Sequence, residues 1–256
     1  MIVNYHTHTS RCGHASGQDE DYVLSATHGG LKALGFSDHT PYLFPEGHYS
    51  SFRMRPSALA DYTASVSHLQ KKYRGQISIH LGVEAEYYPA HFADTVSMLR
   101  DAGVEYMLLA QHFCGNEYDT AYNARPTDRE ENLQRYCDQI ITALDTGLFT
   151  YLAHPDLINF VGDEKVYDQH MRRLCRAMKG FGLPMEYNFL GVRSKRHYPT
   201  PRFWEIVAEE GCKVIFGCDA HSPEELVQPE IEAQATELVA KLGLSLVTDV
   251  PLRKIF

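Results

Sequence analysis

No run of residues in this chain is long and apolar enough to cross a membrane. No basic stretch, apolar stretch and small-residue cleavage site stand in that order at its start, so a secretory leader is not read there. Both absences lead to the expectation of a cytoplasmic enzyme without a membrane partner. The six cysteines, Cys12, Cys114, Cys137, Cys175, Cys212 and Cys218, form no C-x-x-C pair. That removes thiolate-rich metal sites and leaves reduced core thiols as the simplest reading, for Cys12 beside the first histidines as well. Basic residues are also in deficit: 24 Lys and Arg against 33 Asp and Glu leave a formal charge of −9. Binding nucleic acid by phosphate neutralisation needs clustered Lys and Arg, so no nucleic-acid partner is expected. A small anion in a local basic pocket stays open. Linkers, low-complexity tracts and short repeats are missing too, and the 256 residues read as a single domain, 1–256.

What the chain does have is alternation. Short apolar runs ("IVNYH", "LKALGFSDH", "ISIHLGVEAEY", "VEYMLLAQHF", "FTYLAHPD", "LPMEYNF", "CKVIFGCDAH") are separated by stretches with helical spacing. The helices are expected near 19–27, 56–73, 91–102, 128–144, 165–181, 201–210 and 223–242. Glycines close several of them, as in "DAGVEYM" and "GFGLPME". Such alternation implies βαβ units, a parallel sheet and the α/β class. A barrel is the natural closure, and an open doubly wound sheet is the alternative.

Residues able to hold metal sit where these strands end. His6 and His8 end the first, Asp38 and His39 the second, Glu84 and Glu86 the third. His112 and His154 follow the fourth and fifth, and Asp219 and His221 the seventh. Parallel α/β proteins build their sites at the carboxyl ends of strands, so these residues are expected to converge. His6 and His8, two apart on an extended segment, point the same way. Imidazole and carboxylate donors suit zinc, manganese or iron, and there are too many for one tetrahedral ion. Two or three divalent ions, with a carboxylate bridging a pair, would use them. His28, His48, His68, His80, His91, His170 and His197 stand outside this pattern and read as structural.

The motifs "HTHT", "SDH", "GVEAEY", "AQHF", "AHPD" and "CDAH", in this order, resemble those of the PHP (polymerase and histidinol phosphatase) superfamily. The resemblance implies a distorted (β/α)7 TIM-like barrel with a trinuclear metal centre at the C-terminal ends of its strands. By its pattern one ion would be held by His6, His8, Glu84 and Asp219. A second would share Glu84 with His112 and His154, and a third would take His14, His39 and His221. That pattern favours Glu84 over Glu86 as the ligand.

"EYNFLGVRSKRHYP", "SSFRMRPSAL" and "HTSRCGH" are similar to stretches of the PHP-type histidinol phosphatases. The implied activity is metal-dependent hydrolysis of a phosphomonoester, L-histidinol phosphate first, by a hydroxide shared between metals. Asp219 would orient the hydroxide or accept its proton, with His221 beside it. Arg193 would stabilise phosphoryl charge, and Arg196, Arg53 and Arg55 are further candidates to bind phosphate. The sequence departs from that group in "HPDLINF", where Asn159 and Phe160 stand in place of a basic residue, and in "CDAH". The loop Cys114–Pro126 is the expected place for recognising the rest of the substrate. Other phosphomonoesters, nucleotides or phosphodiesters, and a non-catalytic metal-stabilised interaction module, are the alternatives.

Overall fold

A computed structural model of the chain describes residues 1–45 and 48–256. Its sheet runs β1 (Val3–Asn4), β2 (Ala33–His39), β3 (Ser78–Ala85), β4 (Tyr106–Leu109), β5 (Phe149–Leu152), β6 (Met185–Asn188), β7 (Lys213–Gly217) and β8 (Ser245–Leu246). Neighbours in sequence are neighbours in space, and every pair is parallel. Between the strands lie α1 (Asp19–His28), α2 (Leu59–Lys72), α3 (Phe92–Asp101), α4 (Glu130–Asp145), α5 (Glu164–Phe181), α6 (Phe189–Arg193), α7 (Pro201–Glu210) and α8 (Pro229–Leu242). This is the expected α/β TIM-like fold.

The strands are apolar because both their faces are covered; β2, β4, β5 and β6 are buried throughout. One cluster, including Tyr5, Tyr106, Leu108, Tyr151 and Ile215, fills the inside of the curled sheet. The larger cluster packs the strands against the helices. Tyr106 shows how the interior closes. Its hydroxyl donates to the carbonyls of Tyr5 and Phe36 at 2.8 and 3.1 Å. A Cβ on Gly35 would lie 2.1 Å from its oxygen, and one on Gly82 2.2 Å from its ring. Only glycine lets those strands approach the tyrosine.

The helices follow from amphipathic spacing. In α5 the buried face is Tyr167, His170, Met171, Leu174, Cys175 and Met178. Asp163 caps its start, accepting from the amides of Lys165 and Val166 at 2.8 and 3.2 Å, and Gly182 (φ +69°) ends it. Loss of such a cap costs about 1 kcal/mol.

Among the described residues, the sheet meets itself at the end where the site lies. Thr7 and Ala220 form a parallel bridge, with the His8 amide donating to Ala220 and the Ala220 amide to His6, at 2.9 and 3.3 Å. Lower down, the Asn4 side-chain oxygen accepts from the Cys218 amide at 2.9 Å. At the opposite end of β7, Lys213 and Val214 pair with Ser245 and Leu246 instead. That eighth strand, two residues long, is too short to carry a period and is additional to the seven read from sequence. The expected helix over 223–242 is divided: Pro223–Leu226 is a 3₁₀ turn and α8 restarts at Pro229, whose missing N–H cannot continue a helix. The five-residue α6, capped by the Asn188 side chain accepting from the Gly191 amide at 3.0 Å, has no sequence period either.

Candidate metal centre

Glu84 stands at the middle of the site because β3 carries it beside the end of β2, in register with His39. One carboxylate oxygen lies 2.8 Å from His154 Nε2, 3.3 Å from His6 Nε2 and 3.8 Å from His112 Nε2. The other lies 2.8 Å from His39 Nδ1 and 3.7 Å from His8 Nε2. Asp219 Oδ1 closes the group, 3.0 Å from His8 Nε2 and 3.5 Å from His6 Nε2. On the outer side His14 Nε2 and His221 Nε2 face each other at 2.9 Å.

Several of these contacts are not hydrogen bonds. Glu84 Oε2, Asp219 Oδ1 and His39 Nδ1 are buried without a hydrogen-bond partner. Nε2 of His6 and Nε2 of His8 face one another at 3.2 Å. Two ligands of a tetrahedral zinc with bonds of about 2.0–2.1 Å stand roughly 3.3 Å apart. Orphaned buried donor atoms converging at ligand-to-ligand spacing fit divalent cations. The sets with this geometry are His6–His8–Asp219, His6–Glu84–His154, His8–His39–Glu84 and His14–His39–His221. Cys12 also comes near, with His8 and His221. His112 reaches the centre through Glu84 alone.

A second layer of carboxylates orients the imidazoles. Glu186 accepts from His6 Nδ1 at 2.8 Å, and Glu86 from His112 Nδ1 at 2.8 Å. Asp38 lies 3.5 Å from His8 Nδ1. Each leaves Nε2 for the centre, the usual arrangement around a metal. Glu86 is therefore a partner of His112. Glu186 also accepts from the His154 amide at 3.2 Å and from Asn188 Nδ2 at 2.8 Å; Asn188 donates to Asp219 Oδ2 as well, at 3.0 Å. A Cβ on Gly217 would stand 1.8 Å from the Glu186 carboxylate, so that glycine makes its room. His154 (φ +29°) and Asp219 (φ +46°) hold left-handed backbone that costs a non-glycine residue about 1–3 kcal/mol, as residues at functional sites do.

The charges are strongly coupled. Burial works against the anions, yet His39, His112 and His6 hold the Glu84 carboxyl well below its usual range, and His6 and His8 do the same for Asp219. Burial opposes the cation at His8, but Asp219 and Asp38 raise that imidazole to about 9. Where burial wins, His39 falls to about 3 and His221 to about 2. Both are neutral near pH 7, the form that binds metal.

Above these groups lies a cavity of about 350 Å³. Its floor is His14, His39, Glu84, His112, His154, Asp219 and His221; its wall is Phe52, Phe113, Tyr122, Leu190, Arg196 and Tyr198. His6 and His8 lie beneath the floor, wholly buried.

Of the four arginines expected at phosphate, the structure brings one into this cavity. Arg196 lines it and donates to the Tyr198 hydroxyl at 2.9 Å. Arg193 is turned away: it donates to the carbonyls of Cys218 and Asp219 at 3.3 and 3.0 Å, to Gln228 at 3.2 Å and to Glu225 at 2.9 Å. Glu225 in turn accepts from the His221 amide at 2.7 Å. In this structure Arg193 lies outside the cavity expected to hold the phosphate, with its Nη donors on the Asp219–His221 turn, Gln228 and Glu225. Arg53 is buried against Glu86 and Glu117, and Arg55 is exposed ahead of the 3₁₀ turn Pro56–Ala58; neither lines the cavity. For Arg53 the cause is plain, since an Arg-rich loop does not tell which guanidinium already has a carboxylate. In the loop 114–126, Tyr122 lines the cavity.

Residues 4–189 match the sequence profile of the PHP domain. The chain belongs to the PHP domain family. The matched span ends before β7, so Asp219 and His221 join this PHP site through the fold. Over 236 residues, 88% of either chain, the sequence is 29% identical to a probable histidinol-phosphatase of Deinococcus radiodurans. It is 25% identical to the histidinol-phosphatase of Bacillus subtilis, covering 84% of this chain and 92% of that one. The structure of a Lactococcus lactis histidinol phosphate phosphatase complexed with Zn, L-histidinol and phosphate superposes with a TM-score of 0.71. That match covers 96% of this chain and 95% of the other at 17% identity, which establishes the shared fold. Among the described residues no helix is long and apolar enough to cross a membrane.

Proposed function

We propose that this PHP-domain chain is a metal-dependent phosphomonoester hydrolase acting on L-histidinol phosphate. The observation that carries the proposal is the cavity: converging histidines and carboxylates form its floor, and among the described residues Arg196 brings a guanidinium to its wall. Histidinol-phosphatase relatives spanning most of the chain support the choice of substrate.

Two or three divalent ions, zinc, manganese or iron, fit the donor set. By the family pattern His6, His8, Glu84 and Asp219 would hold one, Glu84, His112 and His154 a second, and His14, His39 and His221 a third; Glu84 and His154 converge with His6, and His112 stands 3.8 Å from Glu84. Bound there, such ions lower the pKa of water and neutralise phosphoryl charge. The chain supplies the rest. Arg196 offers a planar fork to the phosphate oxygens, held in place from one side by Tyr198. Asp219 is fixed through Oδ2 by Asn188, which leaves Oδ1 for the metal position, from which it would help to orient the attacking water. His221, kept neutral by burial, serves as a ligand rather than an acid. Phe52 and Phe113, stacked at 5.9 Å, and Tyr122 give an aromatic wall against which an imidazole ring can pack.

The same wall admits a nucleobase, so a nucleotide is the second reading. Phosphate release by metal-loaded protein separates the two, using L-histidinol phosphate, nucleoside monophosphates, an aryl phosphate and an aryl phosphodiester. The proposal expects the highest kcat/KM on L-histidinol phosphate. Equal efficiency on the aryl phosphate, or preference for the diester, defeats the choice of substrate. A folded, metal-loaded protein that hydrolyses none of them is a binding module.

A further inference from the structure

Arg53 is almost fully buried, yet it touches neither the cavity nor the floor. Its guanidinium meets Glu86 as fork to fork, Nη1 to Oε2 at 3.1 Å and Nη2 to Oε1 at 2.9 Å. Glu86 is the carboxylate that holds His112 Nδ1. The remaining donors go to Glu117 (Nε to Oε2, 2.8 Å) and to the carbonyl of Thr40 (Nη1, 3.1 Å), the residue after His39. Glu117 lies in the loop between Phe113 and Tyr122, which pair with each other by a β-bridge and both line the cavity. The guanidinium also stacks 4.4 Å from the ring centroid of Phe52, the cavity residue that meets His39 edge-on at 5.2 Å.

One side chain thus grips the orienting partner of a floor histidine, the backbone beside another, and both aromatic segments of the wall. A buried guanidinium must place its N–H donors on acceptors, carboxylates above all. This one stands between two that lead to different parts of the site. We propose that Arg53 is a positioning residue that couples the substrate-facing loops to His112, so that wall and metal ligand are set in register. Through Glu86 it holds the imidazole's tautomer and angle, and through Glu117 and Phe52 it sets the width of the aromatic wall. The inference rests on reading His112 as a metal ligand.

The test compares Arg53→Lys, which keeps the charge and loses the fork, with Glu117→Gln, which loosens only the loop. Each purified protein is titrated with zinc against a chromophoric chelator, then assayed for KM and kcat on the phosphomonoester it turns over. Arg53→Lys is expected to bind one zinc about 10–100-fold more weakly, the usual cost of losing a metal ligand's hydrogen-bonding support. Glu117→Gln is expected to keep wild-type zinc affinity while KM rises several-fold. Wild-type zinc affinity in folded Arg53→Lys overturns the proposal. If that variant does not fold, an unchanged KM in Glu117→Gln overturns it, and a raised KM with unchanged zinc affinity upholds it. His112→Ala run alongside separates the two readings: full wild-type zinc binding in that variant means the assignment of His112 fails, whatever Arg53 does.

Discussion

The floor of the cavity, His14 apart, is carried by residues at or just past strand ends, and its wall by the segments after them. Glu84 and His39 belong to hydrogen-bonded strands in fixed register, and Asp219 follows β7 directly. Phe52, Phe113 and Tyr122 come from loops, and Arg196 and Tyr198 from the stretch between α6 and α7. The site therefore takes much of its geometry from backbone ladders, and further carboxylates, Glu186, Glu86 and Asp38, set the angles of His6, His112 and His8. Among the described residues the wall has only the single Phe113–Tyr122 bridge and leans on buried side-chain ties such as Arg53 to Glu117. A site that must hold metal at fixed distances and also accept an organic substrate divides the two tasks between rigid and adjustable parts.

The sharpest way to break this division is at its centre. Glu84→Gln removes the charge shared by His6, His39, His112 and His154. Turnover is expected to fall by about a thousandfold or more, the scale seen when preorganised charge is taken from a reacting site. Metal content, read by elemental analysis, is expected to fall with it; full content and near-normal turnover would dissolve the distinction. Arg196→Ala attacks the wall instead. KM for the phosphomonoester is expected to rise about 10–100-fold, in line with about 1.5–3 kcal/mol for hydrogen bonds to a charged group, at unchanged metal content.

Arg193→Ala sharpens the comparison, since Arg193 serves the floor from outside. Zinc affinity is expected to drop about tenfold or more as the Asp219–His221 turn loosens, while KM at saturating zinc stays within a few-fold of wild type. A large rise in KM with intact zinc binding would return Arg193 to the phosphate. The remaining effect is in pH. His8 in the metal-free protein is raised to about 9, mainly by Asp219 and Asp38 against burial. A metal entering there displaces its proton, so zinc affinity is expected to rise about tenfold per pH unit from pH 6 to 8, for one proton released. Calorimetry in buffers of different ionisation enthalpy reads that proton; zero release contradicts the assignment of His8.

Much of the floor was legible because its signal is positional: histidines and carboxylates recurring where apolar runs stop are hard to explain one at a time. Glu186 was missed although a glutamate inside the buried strand "MEYN" is itself a sign, since burial of a charge requires a partner. The wall was less legible. Whether Arg193, Arg196 or Arg53 reaches substrate depends on which acidic side chain lies beside it in space, and Glu225 and Glu117 are 32 and 64 residues away in sequence. The two-residue β8 and five-residue α6 carry no periodicity to detect.

The measurement that meets the central claim most directly is a crystal structure with zinc and phosphate, its metals located by anomalous scattering. Ions coordinated by His6, His8, Glu84 and Asp219, with Arg196 on the phosphate and Arg193 still on the Asp219 carbonyl, are the expected result. Phosphate bound by Arg193, or ions lying outside the histidine and carboxylate floor, would contradict the account.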